Sequence, residues 1–281
     1  WMFFIALHYR AAYFYSMILQ AVTQLSFIPK RIVSLVPSQT ELLHYLGLEA
    51  ETAGITKFCI HPKEWFDTKT RIGGTKTIDI KRIRELNPDL IIANKEENVK
   101  EQVDELATHF NVWVTDVNNV ADALHMIHDI GTLTVRVKEA KQLAIKIESA
   151  FSTISQPATP VKTAYLIWKE PYMTIGGDTF IHDILQQAGL QNIFAGQTRY
   201  PEVSVAALQN IKPQLIILSS EPYPFKQQHI DDLQQQLPGT AILLADGEMF
   251  SWYGSRMLLI PQYLNTLLSD INRLSALTAT I

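Results

Sequence analysis

Cysteine is almost absent from this chain. Cys59 stands alone among 281 residues, which excludes an internal disulfide and leaves the redox compartment open. Long apolar runs are missing too: none reaches the roughly 18–20 residues of a membrane span. A basic excess is also lacking. With 24 Lys and Arg against 28 Asp and Glu the net charge is −4, so nothing marks a nucleic-acid or anionic-membrane partner. Catalytic signatures do not occur: there is no G-x-S-x-G elbow, no H-E-x-x-H and no C-x-x-C. The first strand runs into Val36-Pro37-Ser38, not a glycine-rich turn, which argues against a dinucleotide or P-loop site. The expectation is a protein that is not an enzyme and carries no intrinsic cofactor.

What is present is apolar material, 47% of the chain, in two kinds of pattern. From Asn119 to Ile154 apolar residues recur in steps of three and four, including Ala123, Ile127, Ile130, Leu133, Val137, Ala140, Leu143 and Ile147. Asn118 or Asn119 can cap the start, and Pro157 and Pro160 bar continuation. The spacing predicts one continuous helix, roughly 50 Å long at 1.5 Å per residue, acting as a spine.

The flanks of that spine repeat one pattern. Ile78-Asp79-Ile80, Pro88, Leu90-Ile91-Ile92 and Glu96 return as Val203-Ser204-Val205, Pro213, Leu215-Ile216-Ile217 and Glu221, each 125 positions on. The unit reads as a helix, a proline, a buried parallel strand and a loop opening on a carboxylate. The period is too long for a solenoid. The fold class expected is therefore α/β: two pseudo-repeated open parallel-sheet lobes joined by one long backbone helix, with lobes at 29–118 and 157–281 and the helix at 119–156. A spine broken in the middle would count against this arrangement and against any binding role read from it.

Residues 1–28 read as an N-terminal extension. Arg10 follows the apolar run instead of preceding it, so no secretory signal is recognised, and Met17 is as good a start. In lobe one, Arg31–Val36 reads as the first strand and Ser38-Gln39-Thr40-Glu41 as a capping box starting a helix at Ser38. Gly47 ends that helix, as Gly189 ends its counterpart in lobe two. The chain closes on a helix from Met257 to about Leu274.

Ligands of open α/β sheets sit outside the carboxyl ends of the strands. The loops at those ends hold Phe58, Trp65, Trp168, Tyr172, Phe194, Tyr200, Tyr223, Phe225, Phe250, Trp252 and Tyr253. Such a concentration fits either a cleft of flat rings gripping a planar, partly apolar ligand or packing between lobes. Cys59 and His61 form a C-x-H pair that could ligate a metal, although two ligands make no closed site, and a buried thiol with a pocket-wall imidazole is the plainer reading. Glu96, Glu97 and Glu221 occupy equivalent loops and could dock arginines of a pseudo-symmetric partner, one carboxylate per lobe. Lys57, Lys95, Lys169, Arg199 and Arg256 are the cations near the loops, and Asp116, Asp246, Glu248 and Arg256 are candidates for polar contacts.

The segments Arg31-Ile-Val-Ser-Leu-Val-Pro-Ser-Gln-Thr-Glu41 and Asn87-Pro-Asp-Leu-Ile-Ile92, with the two-lobe pattern, resemble the helical-backbone substrate-binding proteins of ABC importers for cobalamin, ferric siderophores and haem. Asn98-Val-Lys-Glu-Gln-Val-Asp-Glu-Leu106, Asn192-Ile-Phe194 and Arg199-Tyr-Pro201 bring the resemblance nearest to the cobalamin-binding branch. It implies a monomer with a cobalt corrinoid or ferric chelate held between the lobes and a permease dimer as partner. It implies ligand contacts from Phe58, Trp168, Tyr200, Phe250, Trp252 and Arg256; Tyr172, Tyr253, Cys59, His61 and Lys95 are further candidates for ligand contact from their place on the same loops. Glu96 or Glu97 with Glu221 correspond to the docking pair. Location in the periplasm or cell envelope follows from the resemblance. The alternatives are a ferric-siderophore or haem receptor, or a cytoplasmic protein handling a metal tetrapyrrole.

Overall fold

The runs Leu90-Ile91-Ile92 and Leu215-Ile216-Ile217 are almost wholly buried and form the inner strands of two separate parallel sheets. The computed structural model describes residues 17–278. Lobe one comprises β1 (Ile18–Leu19), β2 (Ile32–Ser34), α1 (Pro37–Tyr45), β3 (Thr52–Ile55), α2 (Lys63–Thr68), β4 (Thr70–Arg71), α3 (Ile80–Leu86), β5 (Leu90–Asn94), α4 (Lys100–Leu106) and β6 (Val112–Thr115). The helices α5 (Val120–Leu133) and α6 (Val137–Phe151) follow. Lobe two comprises β7 (Val161–Leu166), α7 (Phe180–Gln187), β8 (Leu190–Asn192), α8 (Val205–Ile211), β9 (Leu215–Ser219), α9 (Gln227–Gln236), β10 (Ala241–Ala245), α10 (Glu248–Ser251) and α11 (Ile260–Thr278).

The sheet orders are β1-β6-β5-β2-β3-β4 and β10-β9-β7-β8, so β6-β5-β2-β3 is repeated as β10-β9-β7-β8. The repeat reaches single caps. Asp79 accepts from the Arg82 amide at the start of α3, and Ser204 accepts from the Ala207 amide at the start of α8. Asn87 and Lys212 end those helices in the left-handed conformation, at φ 47° and 53°.

Three expectations need correction. The spine is not continuous: α5 stops at Leu133 and α6 starts at Val137. Thr134 Oγ1 bonds the Ile130 carbonyl, Val135 takes φ +57°, and the Arg136 amide returns to the Gly131 carbonyl. A methyl on Gly131 would lie 2.4 Å from Cβ of Ala140, so the two helices fold together with backbones touching at that glycine. The apolar stripe itself is right on both sides of the break, with Ala123, Ile127, Ile130, Leu143 and Ile147 buried, but Val137 lies outside it, 47% exposed. Next, Met17 and the strand after it join lobe one. Met17 donates to the Ala107 carbonyl and β1 pairs with β6, so these residues are not an extension; residues 1–16 fall outside the described part. Finally, α1 starts at Pro37 with Val36 as its cap and no side-chain capping bond, because Pro37 pre-sets the first turn and Glu41 is engaged elsewhere.

A single buried cluster runs from Ile32, Leu42 and Trp65 of lobe one, through Ile127 and Leu143 of the helix pair, to Tyr165, Leu215 and Leu264 of lobe two. The lobes thus share a core, which gives the loop ends of both sheets a stiff base.

Candidate functional site

The loops after β3 and β5 of lobe one meet those of lobe two through the contacts of His61 with Glu248 and of Glu96 with Tyr200, and Arg256 reaches Glu41 of α1. In the loop after β3, Phe58 is 50% exposed, with the Lys57 ammonium 5.1 Å from its ring centre. Gly74 lies beneath it, where a Cβ would come within 3.1 Å of the phenyl edge. Cys59 turns the other way. Its thiol is buried between the hydroxyls of Thr40 and Thr56, each at 3.1 Å, and burial raises its pKa above the usual thiol value. It belongs to the core, enclosed between Thr40 and Thr56, whereas His61 stays partly exposed, so the two side chains of the Cys-x-His pair point apart. His61 reaches lobe two, with Nε2 3.3 Å from Glu248 Oε2 and its ring edge-on to Trp252 at 5.7 Å.

The loop after β5 is shaped by two buried asparagines. Asn94 Oδ1 accepts from the amides of Glu96 and Glu97, and Asn98 Nδ2 ties the loop to the carbonyls of Leu35 and Thr75. Lys95 pairs with Asp116 at 2.6 Å. Glu96 instead faces lobe two: Tyr200 donates its hydroxyl to Glu96 Oε1, and Arg199 lies 3.9 Å off. Burial, and then the Glu96 charge, push the Tyr200 phenol up. Burial also raises the Glu97 carboxyl, with the charges of Glu96 and Glu221 adding to it.

On lobe two, Trp168 is 40% exposed and meets Tyr223 edge-on at 5.6 Å. Tyr172 lies parallel to Phe225 at 6.5 Å, within lobe two's own aromatic cluster. Two of the expected wall residues are elsewhere. Phe250 is fully buried, 5.0 Å from Tyr165, and Tyr253 packs on Phe180 at 5.7 Å, because α10 faces inward. Trp252 remains at the lobe junction, 8% exposed. Its indole N–H donates to Glu221 Oε1 at 3.1 Å, and the Arg256 guanidinium sits 4.8 Å over its ring. Arg256, nearly buried, links the lobes through Glu41 and Glu248, both at 2.8 Å. Glu41 is the residue sequence reasoning missed. Its S-x-x-E context signalled a cap, and nothing local indicates a partner 215 positions on.

The structure thus brings Phe58, His61, Trp168, Tyr200, Trp252, Arg256, Glu96, Glu97 and Glu221 to the loop ends, buries Cys59, Phe250 and Tyr253 in the core, and pairs Lys95 with Asp116. Among the described residues no group of three or more His, Cys, Asp or Glu is placed to hold a metal, and no helix is long and apolar enough to cross a membrane.

Residues 32–243 match the model of a family described as periplasmic binding protein. The uncharacterized ABC transporter substrate-binding lipoprotein YvrC of Bacillus subtilis is 27% identical over 201 residues, 67% of this chain and 63% of that protein. The vitamin B12-binding protein of Pectobacterium carotovorum is 22% identical over 253 residues, 87% of this chain and 90% of that protein. Among solved structures, the periplasmic vitamin B12 binding protein BtuF of Vibrio cholerae shares the fold with a TM-score of 0.74 at 19% identity, covering 87% of this chain and 98% of that one. The periplasmic heme-binding protein RhuT from Roseiflexus sp. RS-1 has a TM-score of 0.72 at 18% identity, covering 88% and 99%.

Proposed function

The chain belongs to the periplasmic binding protein family, and on that premise we propose that it is the substrate-binding protein of an ABC importer. It holds a corrinoid or related metal chelate between its lobes and delivers it to a permease in the cell envelope. The continuous spine no longer supports this reading, since the helix is broken. Family membership and the two matching sheets support it instead.

The observation that carries it is the pair Phe58 and Trp168. Each is a large ring left 50% and 40% exposed on a loop at the carboxyl end of a strand, one in each lobe. Large aromatics left open on loops at a sheet's ligand edge favour a flat, apolar-faced guest. Charge then discriminates among chelates. Of the five cations near the loop ends, Arg256 is taken by Glu41 and Glu248, Arg199 by Asp178 and Glu96, Lys95 by Asp116 and Lys169 by Asp232, while Lys57 lies over the Phe58 ring with no carboxylate partner among the described residues. With Glu97 and Glu221 added, the crevice is carboxylate-rich, which disfavours a strongly anionic ferric chelate and suits a corrinoid with neutral amide arms. The substrate is carried, not converted.

Visible spectra and equilibrium dialysis with cyanocobalamin, haemin and a ferric catecholate test the proposal. Cyanocobalamin should bind at micromolar or tighter dissociation constant, with the catecholate weakest; binding of none of the three would remove the reading.

A further inference from the structure

The three carboxylates that the repeat sets on equivalent loops do different work, and the contacts of Glu221 give it a role of its own. Its Oε1 accepts from the Trp252 indole N–H at 3.1 Å and from Ser251 Oγ at 2.8 Å. The residue is held in place from behind. A Cβ on Gly247 would fall 2.5 Å from Glu221 Cγ and 2.5 Å from Ser219 Oγ, so this side chain packs where only a glycine leaves space. Ser219 Oγ in turn donates to the Glu221 carbonyl. Trp252 is then fixed on three sides: Glu221 at the N–H edge, Arg256 over the face at 4.8 Å, and His61 of lobe one at 5.7 Å. An indole whose sole donor is satisfied by a carboxylate and whose face carries a cation has one orientation.

We infer that Glu221 is a positioning residue that fixes the Trp252 ring against which the His61 loop of lobe one rests. This rests on the receptor reading only where it concerns ligand affinity. By contrast, Glu96, its counterpart in the repeat, bonds across the cleft to Tyr200 and braces no ring of its own lobe. The two positions have diverged in use.

Both contacts use one oxygen as acceptor, so the amide of glutamine can replace it. Indole-¹⁵N-labelled protein, with Trp252 assigned through Trp252→Phe, reads the hydrogen bond directly. Glu221→Ala should move the Trp252 N–H resonance upfield toward free indole, and Glu221→Gln should restore most of the shift. Gly247→Ala, which displaces Glu221 without altering it, should move the same resonance. For cyanocobalamin, Glu221→Ala should weaken binding about tenfold and Glu221→Gln should recover most of that loss. A Trp252 resonance unmoved in Glu221→Ala, or Glu221→Gln as damaging as Glu221→Ala, would overturn the inference. If wild-type protein binds no cyanocobalamin the receptor reading suffers, while the indole resonance still decides the role of Glu221.

Discussion

Tyr200 of lobe two donates its hydroxyl to the carboxylate of Glu96 in lobe one, closing the cleft at a point where the two loops share no backbone hydrogen bond. Removing the hydroxyl leaves Glu96 with Arg199 at 3.9 Å as its remaining charge partner. Tyr200→Phe should therefore lower the unfolding free energy by about 1 kcal/mol, the ordinary net worth of one such bond. Urea denaturation measures it, and an unchanged midpoint would mean that the contact carries no weight.

The turn between α5 and α6 makes a second prediction. Val135 is β-branched, 57% exposed, and held at φ +57°, a conformation that suits glycine. Val135→Gly should raise stability by roughly 0.5–1 kcal/mol, after the extra entropy of an unfolded glycine is set against the relieved strain. Gly131→Ala should do the opposite by about 1–3 kcal/mol, because its methyl meets the Ala140 methyl. A straight helix across 134–136 would reverse the first result: Val135→Gly would then destabilise.

Glu97 makes the third, through pH. Burial holds its carboxyl above the usual 4.5, with Lys76 opposing and Glu96 and Glu221 adding. Between 4.5 and that raised value the folded protein binds a proton that the unfolded chain lacks, so stability falls as pH rises through the window. Above the window the deficit is complete. Glu97→Gln should thus be more stable than wild type at neutral pH, and the advantage should shrink as pH is lowered toward 4.5. Comparing the two proteins cancels the contribution of His182, whose pKa is lowered by burial and which acts in the opposite direction. A difference independent of pH would contradict the assignment.

Cys59 makes the fourth. A thiol buried against Thr40 and Thr56, with its pKa raised by that burial, stays protonated and out of reach. A maleimide or aromatic disulfide reagent should leave the native protein unlabelled and modify it stoichiometrically in denaturant. Rapid labelling of the native protein would return Cys59 to the ligand-facing side.

The sequence carried the sheets well. The repeat placed α3 and α8, β5 and β9, because buried strands and the helices before them are written locally, while the equivalent caps at Asp79 and Ser204 emerge only in the structure. The break at Val135 was illegible: no glycine or proline marks residues 134–136, and the apolar stripe continues in step across them. What turns the chain is a contact, Gly131 on Ala140, that exists only once the helices meet. The site was legible as a set of loops but not as a set of directions. Phe58 and Cys59 are adjacent in sequence, and one is open while the other is enclosed. Phe250, Trp252 and Tyr253 all looked alike as loop aromatics, yet Tyr165 and Phe180 bury two of them and Glu221 orients the third. Ion pairs such as Glu41 with Arg256 join distant stretches and leave no local sign.

The account stands or falls on whether exposed rings from both lobes grip one flat guest. The direct measurement is the cyanocobalamin dissociation constant of wild type and of the Phe58→Ala, Trp168→Ala double variant, by visible titration at fixed salt. Both rings are only half-buried, and circular dichroism checks that the double variant folds. Loss of two stacking faces, at about 1–1.5 kcal/mol each, predicts affinity weakened by roughly thirtyfold to more than a hundredfold. Equal affinity in the two proteins, with both folded, would place the ligand somewhere other than between these rings.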